Sequence, residues 1–328
     1  MIDVRKLRYF ATVAEFSNFT RAAEFLGVAQ PALSRQVQQL EQEFGLELFL
    51  RRGRQVTLTD AGEALLRHAH TIDRDFEQLV DDMRVRKGSP TGRVVVGVTP
   101  TLAETLIPDL ARRVSEEFPK LSLKIAEAVT PVLVDWVQSN KVDLAVLSLS
   151  VMDAEESYPA LSLELLTTED MVVVERRGDS RVPRYYTLEQ LRKKRLVMSD
   201  MLEMVVKQKL GSINLGLDVF MEIDAVQAIR RMVANGQAAS ILPVSVMSDE
   251  IRLGIVSGSG ITANGVQRQI VLAHPRHRQM TRASEAISAV LREEIERNKR
   301  EGIFWLERPM ATGGNRGGSR KADGASKR

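Results

Sequence analysis

Cysteine is absent from all 328 residues. Its absence excludes disulfides, thiolate-bound zinc, iron–sulfur clusters and cysteine nucleophiles, and suits a reducing compartment. Histidine is nearly as scarce, with four. His68 and His70 are two apart in a helical stretch and so point to different faces, while His274 and His277 flank Pro275 in a turn. A transition-metal site is not expected from that inventory, and the acidic residues, though plentiful, fall in no recognisable metal loop. Phosphate-binding P-loops and Rossmann glycine fingerprints are also missing. Gly258-Ser259-Gly260 fails as a nucleophile elbow, because position 257 is serine where glycine is needed. No apolar run approaches the ~20 residues of a membrane helix, and Met1–Leu7 has no apolar export segment. The expectation is a soluble cytoplasmic protein that is not an enzyme and carries no cofactor and no metal.

What is present is ordinary globular material, 44% hydrophobic and 27% charged, long enough for two or three domains. The net charge is +3, yet residues 311–328 alone contribute +4 through Arg316, Arg320, Lys321, Lys327 and Arg328 against Asp323. The rest of the chain therefore carries −1, and any nucleic-acid affinity must come from local groupings.

Along the chain, Leu7, Phe10, Val13 and Ala14 recur at helical spacing. Asn18 is placed to cap a second helix, Phe19 to Leu26, stopped by Gly27. Gln30-Pro31 opens a third helix with an apolar face of Leu33, Val37, Leu40 and Phe44, ended by Gly45. A tight glycine-containing turn between two such helices is a helix-turn-helix. Leu48–Leu50 and Gln55–Leu58 then flank the basic turn Arg51-Arg52-Gly53-Arg54, a wing. From Thr59 to about Lys87 runs a long helix whose seam is Leu65, Ala69, Ile72, Phe76, Leu79 and Met83, a heptad stripe that calls for a partner helix. Lys87–Gly92 reads as a hinge.

Beyond it the pattern becomes β-α-β-α-β, starting with the β-branched run Val94–Val98 and continuing through strands at Leu121–Ala128 and Leu144–Leu149. A second set comes next, with strands at Met171–Glu175, Leu196–Met198, Val219–Glu222 and Ala239–Leu242. The strand Gln269–Ala273 and the helix Ala283–Arg300 come last. Residues 311–328, rich in glycine and basic groups, read as disordered.

The third helix carries the functional signal. Gln30, Pro31, Ser34, Arg35 and Gln38 lie towards its N-terminal end, opposite the Leu33/Val37/Leu40 stripe. A recognition helix presents that end to base edges in the major groove. Glutamine pairs bidentately with adenine and arginine with guanine, each good pair discriminating by ~1–3 kcal/mol. Thr20 is placed to hold a phosphate, and Arg51, Arg52 and Arg54 to meet the backbone or minor groove. Taken singly, each residue reads better as part of a solvated face. Together with the short turn, the basic wing and the long seam, they read as a DNA-binding head.

Phe19–Leu26 (Phe-Thr-Arg-Ala-Ala-Glu-Phe-Leu), Gln30–Val37 (Gln-Pro-Ala-Leu-Ser-Arg-Gln-Val), Leu40-Glu41, Leu48-Phe49, Arg51 and Leu58-Thr59-Asp60-Ala61-Gly62 resemble the signature of LysR-type transcriptional regulators. The likeness continues more thinly through Pro108, Phe118-Pro119, Asp143-Leu144-Ala145, Gly236 and Leu242-Pro243. Ala29 departs from the Ser or Thr often found before the recognition helix, and a weaker cap costs on the order of 1 kcal/mol.

The resemblance implies an α/β protein with an N-terminal all-α winged helix-turn-helix (1–59) and a dimerising linker helix (60–88). A two-lobed, periplasmic-binding-protein-like effector domain with parallel sheets would follow (89–302), with lobe I at 93–165 and 267–300 and lobe II at 166–266. A basic disordered tail (303–328) would end the chain. Its partners would be double-stranded promoter DNA, a small-molecule effector and a second copy in a homodimer or tetramer, with RNA polymerase left open. Effector contacts are implied at Thr99, Thr101 and Thr130, and near Ser199 and Met201 on the other lobe. Pro100 and Ser148 join them because strand carboxyl ends facing helix starts form an anion crevice. Thr101 and Thr130 read equally well as N-caps. Asp200 and Glu203 count against a simple carboxylate, so an uncharged or cationic effector, or none, stays open. The rival readings are a solute-binding module and an enzyme with a DNA anchor.

Overall fold

The computed structural model describes residues 2–52, 55–84, 90–149, 157–178, 182–210, 216–262 and 265–306. The head begins with helix α1 (Val4–Phe16), capped by Asp3, whose carboxylate accepts from Lys6 N at 2.8 Å. Helix α2 (Phe19–Leu26) starts at Asn18, whose Oδ1 accepts from Thr20 N and Arg21 N, and ends at Gly27 with φ 66°. Helix α3 (Gln30–Phe44) comes next, with Ala29 at its N-cap making no side-chain capping bond. Leu7, Phe10, Val13, Ala22, Leu33, Val37, Leu40 and Phe49 are buried together, and each large apolar side chain so removed from water contributes roughly 1.5–3 kcal/mol. Phe44 does not share this core. It is 38% exposed, because α3 outruns the helices it packs on.

The wing is an antiparallel hairpin of β1 (Phe49–Arg52) and β2 (Gln55–Leu58). Glu41 holds its base, accepting from Leu48 N at 2.9 Å and Phe49 N at 3.3 Å. Thr59 caps helix α4 (Asp60–Arg84) by accepting from Gly62 N, and donates to Glu47 O. Gly62 is required there, since a Cβ would lie 2.2 Å from Leu48 O.

Strands β3 (Gly92–Val98), β4 (Leu121–Glu127) and β5 (Leu144–Leu149) pair in parallel, alternating with helices α5 (Pro100–Glu117) and α6 (Thr130–Gln138). The sheet does not stay parallel. Strand β6 (Leu161–Arg176) and the strand Val266–Pro275 run antiparallel to each other along their length, and the latter also pairs antiparallel with β5. Strand Ser240–Pro243 and strand Val256–Ile261 add antiparallel to the second half of β6. Thus β6 and Val266–Pro275 cross between two lobes. In the first lobe one core gathers Val94, Leu102, Leu106, Ile270 and Ile287 and a second, under α6, gathers Leu133, Val137, Ala145, Leu147 and Val271; the other lobe's core gathers Val172, Leu196, Val206, Ile229 and Leu242.

Three expectations need correction. Strand β6 begins at Leu161, ten residues earlier than the run Met171–Glu175, because Glu164, Thr168, Glu169 and Asp170 hid its alternation. The strand Val256–Ile261 is not among the expected strands, because Gly258 and Gly260 carry no side chain to show its alternation. The chain is not disordered from residue 303. Phe304 is completely buried in the first lobe's core, Leu306 packs on the second's, and Asp170 N donates to Phe304 O at 2.9 Å. Residues 307–328, the rest of the expected tail, lie outside the described residues.

Candidate DNA interface and effector cleft

On α3 the stripe Leu33, Val37 and Leu40 is fully buried, while Gln30, Pro31, Arg35 and Gln38 are exposed and Ser34 half-buried. The helix thus offers one polar face at its N-terminal end, braced from behind by α1 and α2. Thr20 is exposed in the first turn of α2, beside Arg21, whose guanidinium sits 5.5 Å from the Phe16 ring centroid. Arg51 and Arg52 end β1, paired with Val56 and Gln55. Gly53 and Arg54 lie outside the described residues. Glu41 was legible only as part of a matching pair, and its bracing of the wing emerges from the hydrogen bonds to Leu48 and Phe49.

The helical seam divides. Ala69 is 1% exposed and Leu65 partly buried, both packed on the head's own core, because α4 lies against α1. Ile72, Phe76 and Leu79 remain 40%, 42% and 55% exposed. Among the described side chains the expected stripe is exposed only from Ile72 onward, and there the Arg8 guanidinium of the same chain lies 5.6 Å from the Phe76 ring centroid; the Met83 side chain is outside the description.

Between the lobes lies a cleft with ≈ 540 Å³ of empty space, part of it open to solvent. Thr99, Pro100, Thr101, Thr130, Ser148, Ser199 and Met201 all line it, joined by Val129, Leu202, Val205, Asp224, Val226 and Arg268. Its lining, apolar side chains with a few convergent polar groups, is of the kind that small-molecule sites use. Thr101 and Thr130 are not N-caps. Thr99 and Val129 hold those positions, neither with a side-chain capping bond. Thr101 instead accepts from Arg268 Nη1 at 2.7 Å, and Thr130 donates to Ser148 O at 3.0 Å.

Arg268 and Glu169 were not anticipated. Arg268 is 2% exposed and Glu169 not at all. Glu169 Oε2 accepts from Arg268 Nε at 2.9 Å and Nη2 at 2.7 Å, while its Oε1 accepts from Ser245 N. A charged residue inside a strand pattern reads as solvent-facing, so only the register of β6 against Val266–Pro275 reveals the pair. Asp200 and Glu203 stand outside the cleft lining, forming with Glu222 an acidic cluster in which Glu203 also pairs with Lys207. The acidic residue bordering the cleft is Asp224.

Two contacts among the described residues join the linker helix to the first lobe. Asn140 Nδ2 donates to Thr71 Oγ1 at 2.7 Å, and Arg278 pairs with Asp75 at 3.2 Å. Nearby, Lys141 is held below its ordinary pKa, chiefly because it is partly buried.

A winged helix with a braced polar face, joined to a two-lobed ligand cleft, defines a ligand-responsive DNA-binding protein. The family model described as "Bacterial regulatory helix-turn-helix protein, lysR family" matches residues 4–63, and "LysR substrate binding domain" matches residues 87–296. The chain belongs to the LysR family of transcriptional regulators. It is 34% identical over 174 residues to the HTH-type transcriptional regulator IlvR of Caulobacter vibrioides, covering 53% of this chain and 58% of that protein. It is 27% identical over 303 residues to the regulator CfxR of Cupriavidus necator, covering 89% and 92%. A full-length OxyR variant from Pseudomonas aeruginosa superposes with TM-score 0.68 at 24% identity, covering 90% of this chain and 98% of that one. No helix among the described residues is long and apolar enough to cross a membrane.

Proposed function

We propose that this regulator reads duplex promoter DNA in the cytoplasm with Gln30, Pro31, Ser34, Arg35 and Gln38, and is anchored by Thr20, Arg51, Arg52 and Arg54. A second copy pairs with it through Ile72, Phe76, Leu79 and Met83, and a small effector enters the cleft lined by Thr99, Thr101, Thr130 and Ser199. The units are the head at 1–59, the linker at 60–88 and the effector half from 89, extended from the expected 302 to 306. The exposed polar face opposite the buried Leu33/Val37/Leu40 stripe carries this reading. Gel-shift titration against operator variants tests it. Arg35→Ala flattens the preference among bases at one position by about 1–3 kcal/mol. Arg52→Ala weakens binding to all sequences alike. Uniform loss in both variants refutes the role given to Arg35.

Helix α6 offers the effector a mechanical route to the DNA head. Its first residue, Thr130, lies in the cleft, and its nine residues span roughly 14 Å at 1.5 Å per residue. Just past its end, Asn140, 4% exposed with φ 56°, reaches Thr71 on the linker helix. An effector shifts DNA affinity only through different affinities for two lobe arrangements. Asn140→Ala is expected to keep operator binding while shrinking the effector-induced change in affinity, read by the same titration.

A further inference from the structure

The cleft presents opposite electrical signs on its two lobes. On the first lobe, the helices beginning at Pro100 and Thr130 have no side-chain capping bond. Their first-turn amides carry the partial positive charge that favours an oxyanion. Between them sits Thr99, 4% exposed, whose Oγ1 is buried and without a hydrogen-bond partner. A buried hydroxyl of that kind is costly unless something arrives to use it. Arg268 does not fill the role of anion receptor, because Glu169 cancels its charge and Thr101 and Ser148 occupy Nη1. On the second lobe, Asp224 is exposed, borders the cleft and has no ion pair among the described residues. The wall beside it is aliphatic, formed by Met201, Leu202 and Val205.

Taking this cleft as the effector site proposed above, on which the assignment rests, we infer that the effector is an α-amino acid with an aliphatic side chain. Its carboxylate meets the Thr99 hydroxyl and the two helix starts, its ammonium meets Asp224, and its side chain lies on Met201, Leu202 and Val205. Each charge of such a zwitterion belongs to a different lobe, so a ligand that holds both bridges the lobes. A simple carboxylate engages only the first lobe, and a simple amine only the second. Neither distinguishes the two lobe arrangements as the zwitterion does. A dicarboxylate would bring its second negative charge against Asp224.

Isothermal titration of the full-length protein with each of the twenty amino acids tests this. Leucine and methionine are then compared with 4-methyl-2-oxopentanoate, which lacks the ammonium, and leucinamide, which lacks the carboxylate. The expected result is that leucine or methionine binds at least tenfold tighter than either analogue, and that Asp224→Asn brings leucine down to the level of the keto acid. The inference is overturned if no amino acid binds, if the keto acid binds as tightly, or if Asp224→Asn changes nothing. A parallel gel shift with the small-molecule fraction of a cell extract keeps the underlying reading separate. If the extract alters DNA affinity of the wild type but not of Met201→Trp while amino acids do nothing, the cleft stands and the ligand class falls. If Met201→Trp responds like the wild type, the cleft reading itself falls.

Discussion

In the head, the described side chains assigned to DNA lie between Thr20 and Gln38 on two consecutive helices. In the effector half, the cleft is assembled from stretches as far apart as Thr99 and Arg268. The head places its residues by helical periodicity, a property of neighbours three and four apart. The cleft places its residues by sheet topology, at the ends of strands that meet only after the chain has crossed twice between lobes. A polar face built the first way tolerates loss of single members without disturbing its support. One built the second way has a buried charged pair among its supports, so a single change reaches the fold.

The sharpest way to test that contrast is Arg268→Ala. It leaves the Glu169 carboxylate buried and unpaired, and removing one partner of such a pair costs about 3–5 kcal/mol. The Arg268→Met/Glu169→Leu double variant should recover much of it. Urea unfolding measures both, and an Arg268→Ala protein as stable as the wild type would erase the distinction. In the head, Asn18→Ala removes the acceptor of two first-turn amides and is expected to cost about 1 kcal/mol, read from the melting of the α2 segment by hydrogen exchange.

The smallest effect belongs to Glu164, which Arg292 holds below the usual carboxylate range through paired hydrogen bonds at 2.8 Å. Because the pKa is depressed on folding, the pair stabilises above the ordinary glutamate range and that contribution fades as pH falls through the folded value. Both side chains are over a third exposed, so solvent screening limits the pair to a few tenths of a kcal/mol. Glu164→Gln should therefore differ slightly from the wild type at neutral pH and converge with it in acid, in denaturation curves run across pH.

The same contrast explains what the sequence made legible. Asn18, Gly27, Gln30-Pro31 and Gly45 mark helix ends by their own chemistry, and each stands where expected. Phe44 misled because periodicity continues past the point where packing stops. The seven effector residues expected from strand ends and family resemblance do line one cleft. Asp224, Glu169 and Arg268 escaped because nothing local separates a charge that borders a cleft or meets a buried partner from one that faces water. Thr101 and Thr130 were placed at helix starts correctly but one or two residues from the true caps, since Pro100 and Pro131 allow the helix to begin without one.

The short run Ile303–Leu306 buries Phe304 in the first lobe's core, packs Trp305 against it and sets Leu306 on the second lobe's core, clipping the two together next to their crossing strands. Shortened versions of the protein thus have a natural limit. A stop codon placed before Ile303 would leave a phenylalanine-sized hole, a loss on the order of 3–5 kcal/mol, and would remove the bonds that Phe304 and Leu306 make to Asp170 on β6.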